Sequence, residues 1–236
     1  MHKRIALLLA VLFFYTSSLF AQDVVSSDIK PTGIKKPSRD IIMIQITYDN
    51  WLNKPDSVSL TGFGRGTNFY ICYDFPISKS NFSFAAGIGI GTSTLYLKDQ
   101  QLVLTDTGAA AQALFLPESK DYKKFKFSST FLEAPFELRY FGNKDNRNVG
   151  FKAAIGLRVG TLLGVHTKAR YTVDGSKVIE KENTKRFFEN WRYAATVRVG
   201  WGNFSVMGAY NLGGVFKEGK GPDVTPYSIG LCITGL

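Results

Sequence analysis

In "WRYAATVRVGW", residues 191–201, apolar and polar side chains alternate without a break, and few folds accept the result. Trp191, Tyr193, Ala195, Val197, Val199 and Trp201 share one phase; Arg192, Ala194, Thr196, Arg198 and Gly200 share the other. A strand sends its two phases to opposite faces of a sheet. One face here is apolar from end to end with a tryptophan at each tip, while the reverse carries arginines among very small residues. Ten steps of about 3.4 Å, tilted by about 40°, cover roughly 26 Å. Membrane β-barrels present an apolar band about 25 Å tall between two aromatic girdles. The pattern predicts a lipid-facing strand with Trp191 and Trp201 at the two interfaces.

Seven further segments alternate in the same way: "IIMIQITYDNW" (41–51), "GTNFYICYDF" (66–75), "NFSFAAGIGIG" (81–91), "FLEAPFELRYF" (131–141), "VGFKAAIGLRVG" (149–160), "FSVMGAYNL" (204–212) and "YSIGLCITGL" (227–236). Connections are short after the second, fourth and sixth strands. They are longer after the first, third, fifth and seventh, the longest running roughly from Lys98 to Lys124. Tight turns at one end and long loops at the other are the habit of outer-membrane barrels. Lipid tolerates no unpaired backbone groups, so a sheet within it must close. The expectation is an all-β, eight-stranded, antiparallel, up-and-down transmembrane β-barrel over residues 40–236. The uncharged runs Ser80–Leu97 and Val199–Phe216 reach the length of a helical span, but their period of two and internal asparagine, serine and glycine read as strand. Pro135 lacks a ladder donor in a barrel that has no edge. It predicts a local irregularity without a net shift of register.

The first 21 residues stand apart from this pattern. His2, Lys3 and Arg4 precede an apolar run from Ile5 to Tyr15, and small residues follow up to Ala21. This is the layout of a secretory signal peptide cleaved near Ala21. Residues 22–39 contain prolines and have no periodicity, and read as a flexible periplasmic lead-in. Cleavage leaves 27 lysines and arginines against 19 acids, a net +8. In an exported chain this excess fits acidic lipid head groups better than nucleic acid, and nucleic acid is not expected as a partner. Two cysteines are too few for a disulfide scaffold. Cys72 and Cys232 fall on strands separated by the first strand, beyond disulfide reach, so both are expected as free thiols facing the lumen.

The second phase of the strands defines the candidate interior. It is mostly Gly, Ala, Ser and Thr, which a narrow eight-stranded lumen requires wherever a long side chain lies opposite. Among these small residues stand Asp49, Asp74, Glu133, Glu137, Arg139, Lys152, Arg158, Arg192 and Arg198. Charges confined in this way must be paired. Counting back from a turn near Asp145 sets Glu133 about opposite Arg158 and Glu137 near Lys152. The nine are expected to form a structural polar network that seals the barrel. Tyr48, Tyr73, Tyr140, Trp191, Trp201 and Tyr227 are the expected aromatic girdle. A soluble lipocalin-like carrier is the alternative, built on the same strand count with the apolar phase turned inward.

No catalytic, metal or cofactor residues are expected. Eight-stranded barrels also include lipid-modifying enzymes, which need a nucleophile beside a base. His166 and an outer-loop serine such as Ser176 could meet only by chance, because no spacing links them. Metal ligands occur at no recognised spacing, and "GIGIG" lies inside a strand rather than at a phosphate-binding turn.

Together, "SRDIIMIQITYDNW", "RGTNFYICYDFP", "FLEAPFELRYF", "FKAAIGLRVGTLLGVHTK" and "YSIGLCITGL" resemble the PorT-like outer-membrane β-barrel proteins of Bacteroidota, from about Ser38 to Leu236. The resemblance implies a small barrel in the outer membrane of a Gram-negative bacterium. Through the family's namesake it also implies a tie to export by the type IX secretion system. The last strand is similar to the signal read by the barrel-assembly machinery, departing in its final Leu236. The expected role is a non-enzymatic membrane component, structural or accessory to secretion, touching outer-membrane lipid. Loops such as "TGAAAQALFLPE" would be available to secretion-system or surface partners.

Overall fold

The computed structural model describes residues 41–235 apart from 79, 105–107, 109–110 and 144–145. The expected signal peptide, cleavage site and lead-in, with Asp145 at the expected turn and Leu236, lie outside the described residues. Eleven strands follow in order: β1 (Ile42–Leu52), β2 (Arg65–Pro76), β3 (Phe82–Leu97), β4 (Gln100–Val103), β5 (Leu114–Pro117), β6 (Lys124–Phe141), β7 (Phe151–Val173), β8 (Ser176–Asn183), β9 (Trp191–Trp201), β10 (Phe204–Asn211) and β11 (Thr225–Thr234). Eight of them, β1, β2, β3, β6, β7, β9, β10 and β11, pair antiparallel in sequence, and β1 pairs with β11 to close the ring. The uncharged runs that reach helical length are strand throughout their cores, as β3 and as β9 with β10.

The opening stretch measures the barrel. From Trp201, partner leads to partner through Phe204, Ile233, Ile44, Phe69, Ile90, Leu132 and Thr161 to Trp191. One circuit therefore returns to β9 ten residues from its start. A stagger of ten over eight strands, with a rise of about 3.3 Å and a strand spacing of about 4.8 Å, fixes the tilt near 41°. Orientation is decided by exposure: Trp201 is 69% and Ile155 62% exposed, whereas Glu133 and Arg139 are each 1% exposed. The apolar phase faces outward, the opposite of what a soluble carrier needs.

Three strands rise beyond their expected limits. On β6 one phase reads Lys124, Lys126, Ser128, Thr130 and then Leu132, Phe136 and Leu138; the other reads Phe125, Phe127, Ser129, Phe131 and then Glu133, Glu137 and Arg139. The strand keeps its faces, but the polarity of the faces exchanges above Phe131. Below that level the outside is lipid, and above it the outside is water. The inward aromatics of the raised section join Trp51, Leu95, Leu97, Leu162, Val165, Phe187, Phe188, Phe216 and Val224 in one buried cluster. The interior is therefore not polar throughout, as expected, but polar in its inner part and apolar at its outer end.

Two irregularities adjust the wall. Leu163 is an extra residue of β7 between the pairs Phe131↔Leu162 and Thr130↔Gly164. Below it the even-numbered residues of β7 face inward, and above it Val165, Thr167, Ala169 and Tyr171 do so. Pro135 pairs with Arg158 on one side. On the other, the β3 ladder breaks after Ala86↔Phe136 and resumes at Gly89↔Glu133, with no net shift. The connection after the fifth barrel strand is no loose loop. Asp174 and Gly175, at φ 46° and 79°, make the two-residue turn that an Asp-Gly pair favours, and fold β8 back on β7.

Cys72 and Cys232 are free and buried, packed with Met43, Tyr70, Met207 and Ala209. A water-soluble maleimide is expected to label neither in the folded barrel and both after denaturation. Labelling of the native barrel by mass spectrometry would contradict this packing.

Candidate functional site

Two charged clusters occupy the inner and middle lumen. In the inner one, Arg139 Nε donates to Glu137 at 2.7 Å and its Nη1 donates to Asp74 at 3.0 Å. Arg198 reaches Glu137 from β9 at 3.1 Å. Arg147, from the turn between β6 and β7, folds inward to Asp74 at 3.1 Å. In the middle cluster, Glu133 accepts from the Tyr70 hydroxyl at 2.5 Å and from Arg192, and lies 3.5 Å from Arg158. Arg158 also donates to the Tyr70 hydroxyl at 2.7 Å. Small residues make room for this. A Cβ on Gly89 would stand 2.6 Å from the Tyr70 ring, and one on Gly91 would strike the Glu133 carboxylate.

Eight of the nine expected lumen residues are buried, and Arg192 is half-buried near the outer end. Seven of the nine ion-pair within these clusters. Glu133 meets Arg158 although their Cα partners differ by two residues, because the turn centre lies beyond Asp145. The same displacement corrects the expected Glu137–Lys152 proximity. Lys152 pairs in register with Phe141, lies 5.7 Å from its ring and donates to the Thr234 hydroxyl at 3.4 Å. Glu137 takes Arg139 and Arg198 instead. Asp49 accepts from the Thr47 hydroxyl at 2.6 Å, and has no ion-pair partner among the described residues. Two members escape a reading of charges by alternation. Tyr70 is inward but carries no formal charge, and Arg147 lies in a turn, where no alternation marks it.

Above the middle cluster, the Arg192 guanidinium lies 4.0 Å from the Phe131 ring centre. A cavity of about 50 Å³ separates it from Trp51, Phe127, Leu162, Val165 and Phe188. Trp51 touches Phe115, Phe127 and Phe216 edge-on, at ring separations of 6.2, 5.6 and 6.3 Å. This aromatic cluster closes the outer mouth. Outside it, Lys120 bridges to Glu180 at 2.9 Å and to the Tyr171 hydroxyl at 2.8 Å. The hydroxyl and the ammonium together hold the Glu180 carboxyl below the usual carboxylate range.

Of the girdle residues, Tyr73, Trp191 and Trp201 are exposed on the outward face, while Tyr48, Tyr140 and Tyr227 are half-buried there. Tyr48 packs on Phe63 at 4.8 Å and Tyr140 on Phe82 at 5.2 Å. Tyr73, Tyr140 and Trp201 lie toward the short turns, and Tyr48, Trp191 and Tyr227 toward the long loops.

His166 and Ser176 are not brought together. His166 pairs in register with Ser128 and Asn183 on the outer wall, whereas Ser176 pairs with Val173 at the hairpin tip, seven residues further along β7. The Ser128 hydroxyl is engaged with Thr94 at 2.9 Å. Burial, with Lys181, Lys126 and Lys168 nearby, lowers the affinity of His166 for a proton. Among the described residues no group of three or more side chains could hold a metal ion.

Residues 43–217 match the family described as outer membrane protein beta-barrel domain. Among curated proteins nothing matches the chain. Two solved structures of Ail, the attachment invasion locus protein of Yersinia pestis, align with it at 15% identity, each covering 82% of this chain and 94% of Ail. Their TM-scores are 0.39, for Ail in complex with the heparin analogue sucrose octasulfate, and 0.34.

Proposed function

Since this chain belongs to the outer membrane protein β-barrel domain family, we propose that it works in the outer membrane as a sealed, non-enzymatic barrel, structural or accessory to protein secretion. The observation that carries this reading is a lumen filled along its length. Asp74, Arg139 and Arg147 occupy its inner part, Glu133 with its two arginines the middle, and the Trp51 aromatic cluster the outer mouth. Eight strands leave room for side chains and not for an aqueous channel. The resemblance to PorT-like proteins favours service to secretion, and assembly would pass through the barrel-assembly machinery. In planar bilayers the folded protein is expected to give no unitary conductance, and liposomes containing it should not swell in small sugars. Stepwise currents would overturn the sealed barrel. Deleting the gene is expected to leave secretion-system cargo in the periplasm. Normal surface delivery of that cargo would leave the structural role alone.

A further inference from the structure

The outer wall built by β6, β7 and β8 carries a charge pattern that the sealed barrel does not use. Lys126 pairs in register with Lys168, and Lys168 with Lys181. One step further from the membrane, Lys124 pairs with Arg170. Residues directly opposite on one face of a sheet stand about 5 Å apart at Cβ, and like charges so placed repel. A row of three lysines therefore costs the fold stability. The acids that could relieve it are on the other face: Glu180 pairs with Ala169 and Glu182 with Thr167, both on the inward phase. Among the described residues none of Lys126, Lys168 and Lys181 has an ion-pair partner.

The position of the row names its counter-charge. It lies on the same outward phase of β7 that faces lipid lower down, through Ile155, Leu157 and Leu163. Lys168 is five residues above Leu163, about 13 Å along the barrel axis at a tilt near 41°. That is the level of head-group sugars and phosphates standing off the acyl chains of an outer-leaflet glycolipid.

We propose that the Lys126–Lys168–Lys181 row binds the phosphates of outer-leaflet lipopolysaccharide, so that the raised wall is a glycolipid-docking surface continuous with the lipid-facing barrel. The inference rests on the outer-membrane placement and is independent of a secretion role. Clustered phosphates supply several negative charges to the row, and the interaction is screened by salt.

The test uses the full mature barrel in detergent, titrated with lipopolysaccharide, with the same glycolipid stripped of its phosphates, and with a soluble sulfated oligosaccharide. Intact lipopolysaccharide is expected to bind at least tenfold more tightly than the dephosphorylated form, less so at high salt. The triple variant Lys126→Gln, Lys168→Gln, Lys181→Gln is expected to lose at least tenfold in affinity while melting at or above the parent temperature, since its removed charges repelled one another. The corresponding triple arginine variant should bind as the parent does. Equal affinity of the glutamine variant, equal binding of the dephosphorylated glycolipid, or preference for the soluble polyanion would each overturn the proposal. The last result would mark the wall as a receptor surface instead. Loss of conductance control or of secretion would bear on the sealed barrel and not on this row.

Discussion

Replacing Glu133 with alanine is expected to lower the temperature at which the barrel loses its heat-resistant gel mobility by more than any other single change in the lumen. Glu133 is 1% exposed, accepts from Tyr70 and Arg192, and is the ion-pair partner of Arg158 at 3.5 Å. Its removal leaves Arg158 buried without its ion-pair partner. Breaking a buried pair by deleting one partner costs about 3–5 kcal/mol, chiefly through the charge left behind. Arg192 escapes part of this cost, because its side chain is 15% exposed toward the outer cavity and lies against the Phe131 ring. Glu133→Gln keeps the volume and an acceptor, so its loss should be smaller. Adding Arg158→Met to Glu133→Ala should return part of the stability, since the two sites are coupled. An unchanged melting curve for Glu133→Ala would remove the middle cluster from the account of what holds the barrel.

How far these arrangements could be read beforehand depends on what each residue faces. Every barrel strand announces itself by alternation, because one face meets lipid and the other a crowded lumen. The Trp191-to-Trp201 span even carries the stagger of the ring. The raised parts of β3, β6 and β7 were hidden by the same rule. Where lipid gives way to water, Lys124, Lys126 and Ser128 take the outward phase and Phe125 and Phe127 the inward one, so a search for apolar-outward strands stops at Phe131. Trp51, inward at the top of β1, belongs to that inverted zone as well. Hairpin counting finds Glu133 and Arg158, which are neighbours through one turn. It cannot find Glu137 with Arg198, residues 61 apart in sequence whose strands flank β7 on either side. The Asp174–Gly175 turn was legible as a dipeptide between alternating runs, yet it sits where the barrel pattern calls for a loop.

Trp51→Ala should produce the converse of the Glu133 effect: a barrel that keeps its melting behaviour while its outer loops come loose. Trp51 is 5% exposed and joins three separate pieces of chain, Phe115 on β5, Phe127 on β6 and Phe216 in the segment before β11. Truncating a buried tryptophan to alanine costs about 3–5 kcal/mol. The cost falls on the part of the structure with the least else to hold it. Among the described residues of the two outer segments, a backbone bond ties Ala113 to Lys220, and Phe115 and Phe216 pack on the aromatic cluster at the barrel mouth. The ladder below is a closed ring and loses nothing. Trypsin added to intact cells is therefore expected to cut near Lys120 and Lys217 at least tenfold faster in the variant, with the folded gel mobility of the remaining barrel unchanged. Equal cutting rates would show that Trp51 does not secure the outer mouth. A simultaneous fall in the melting temperature would show that the aromatic cap and the charged lumen are one cooperative unit rather than two.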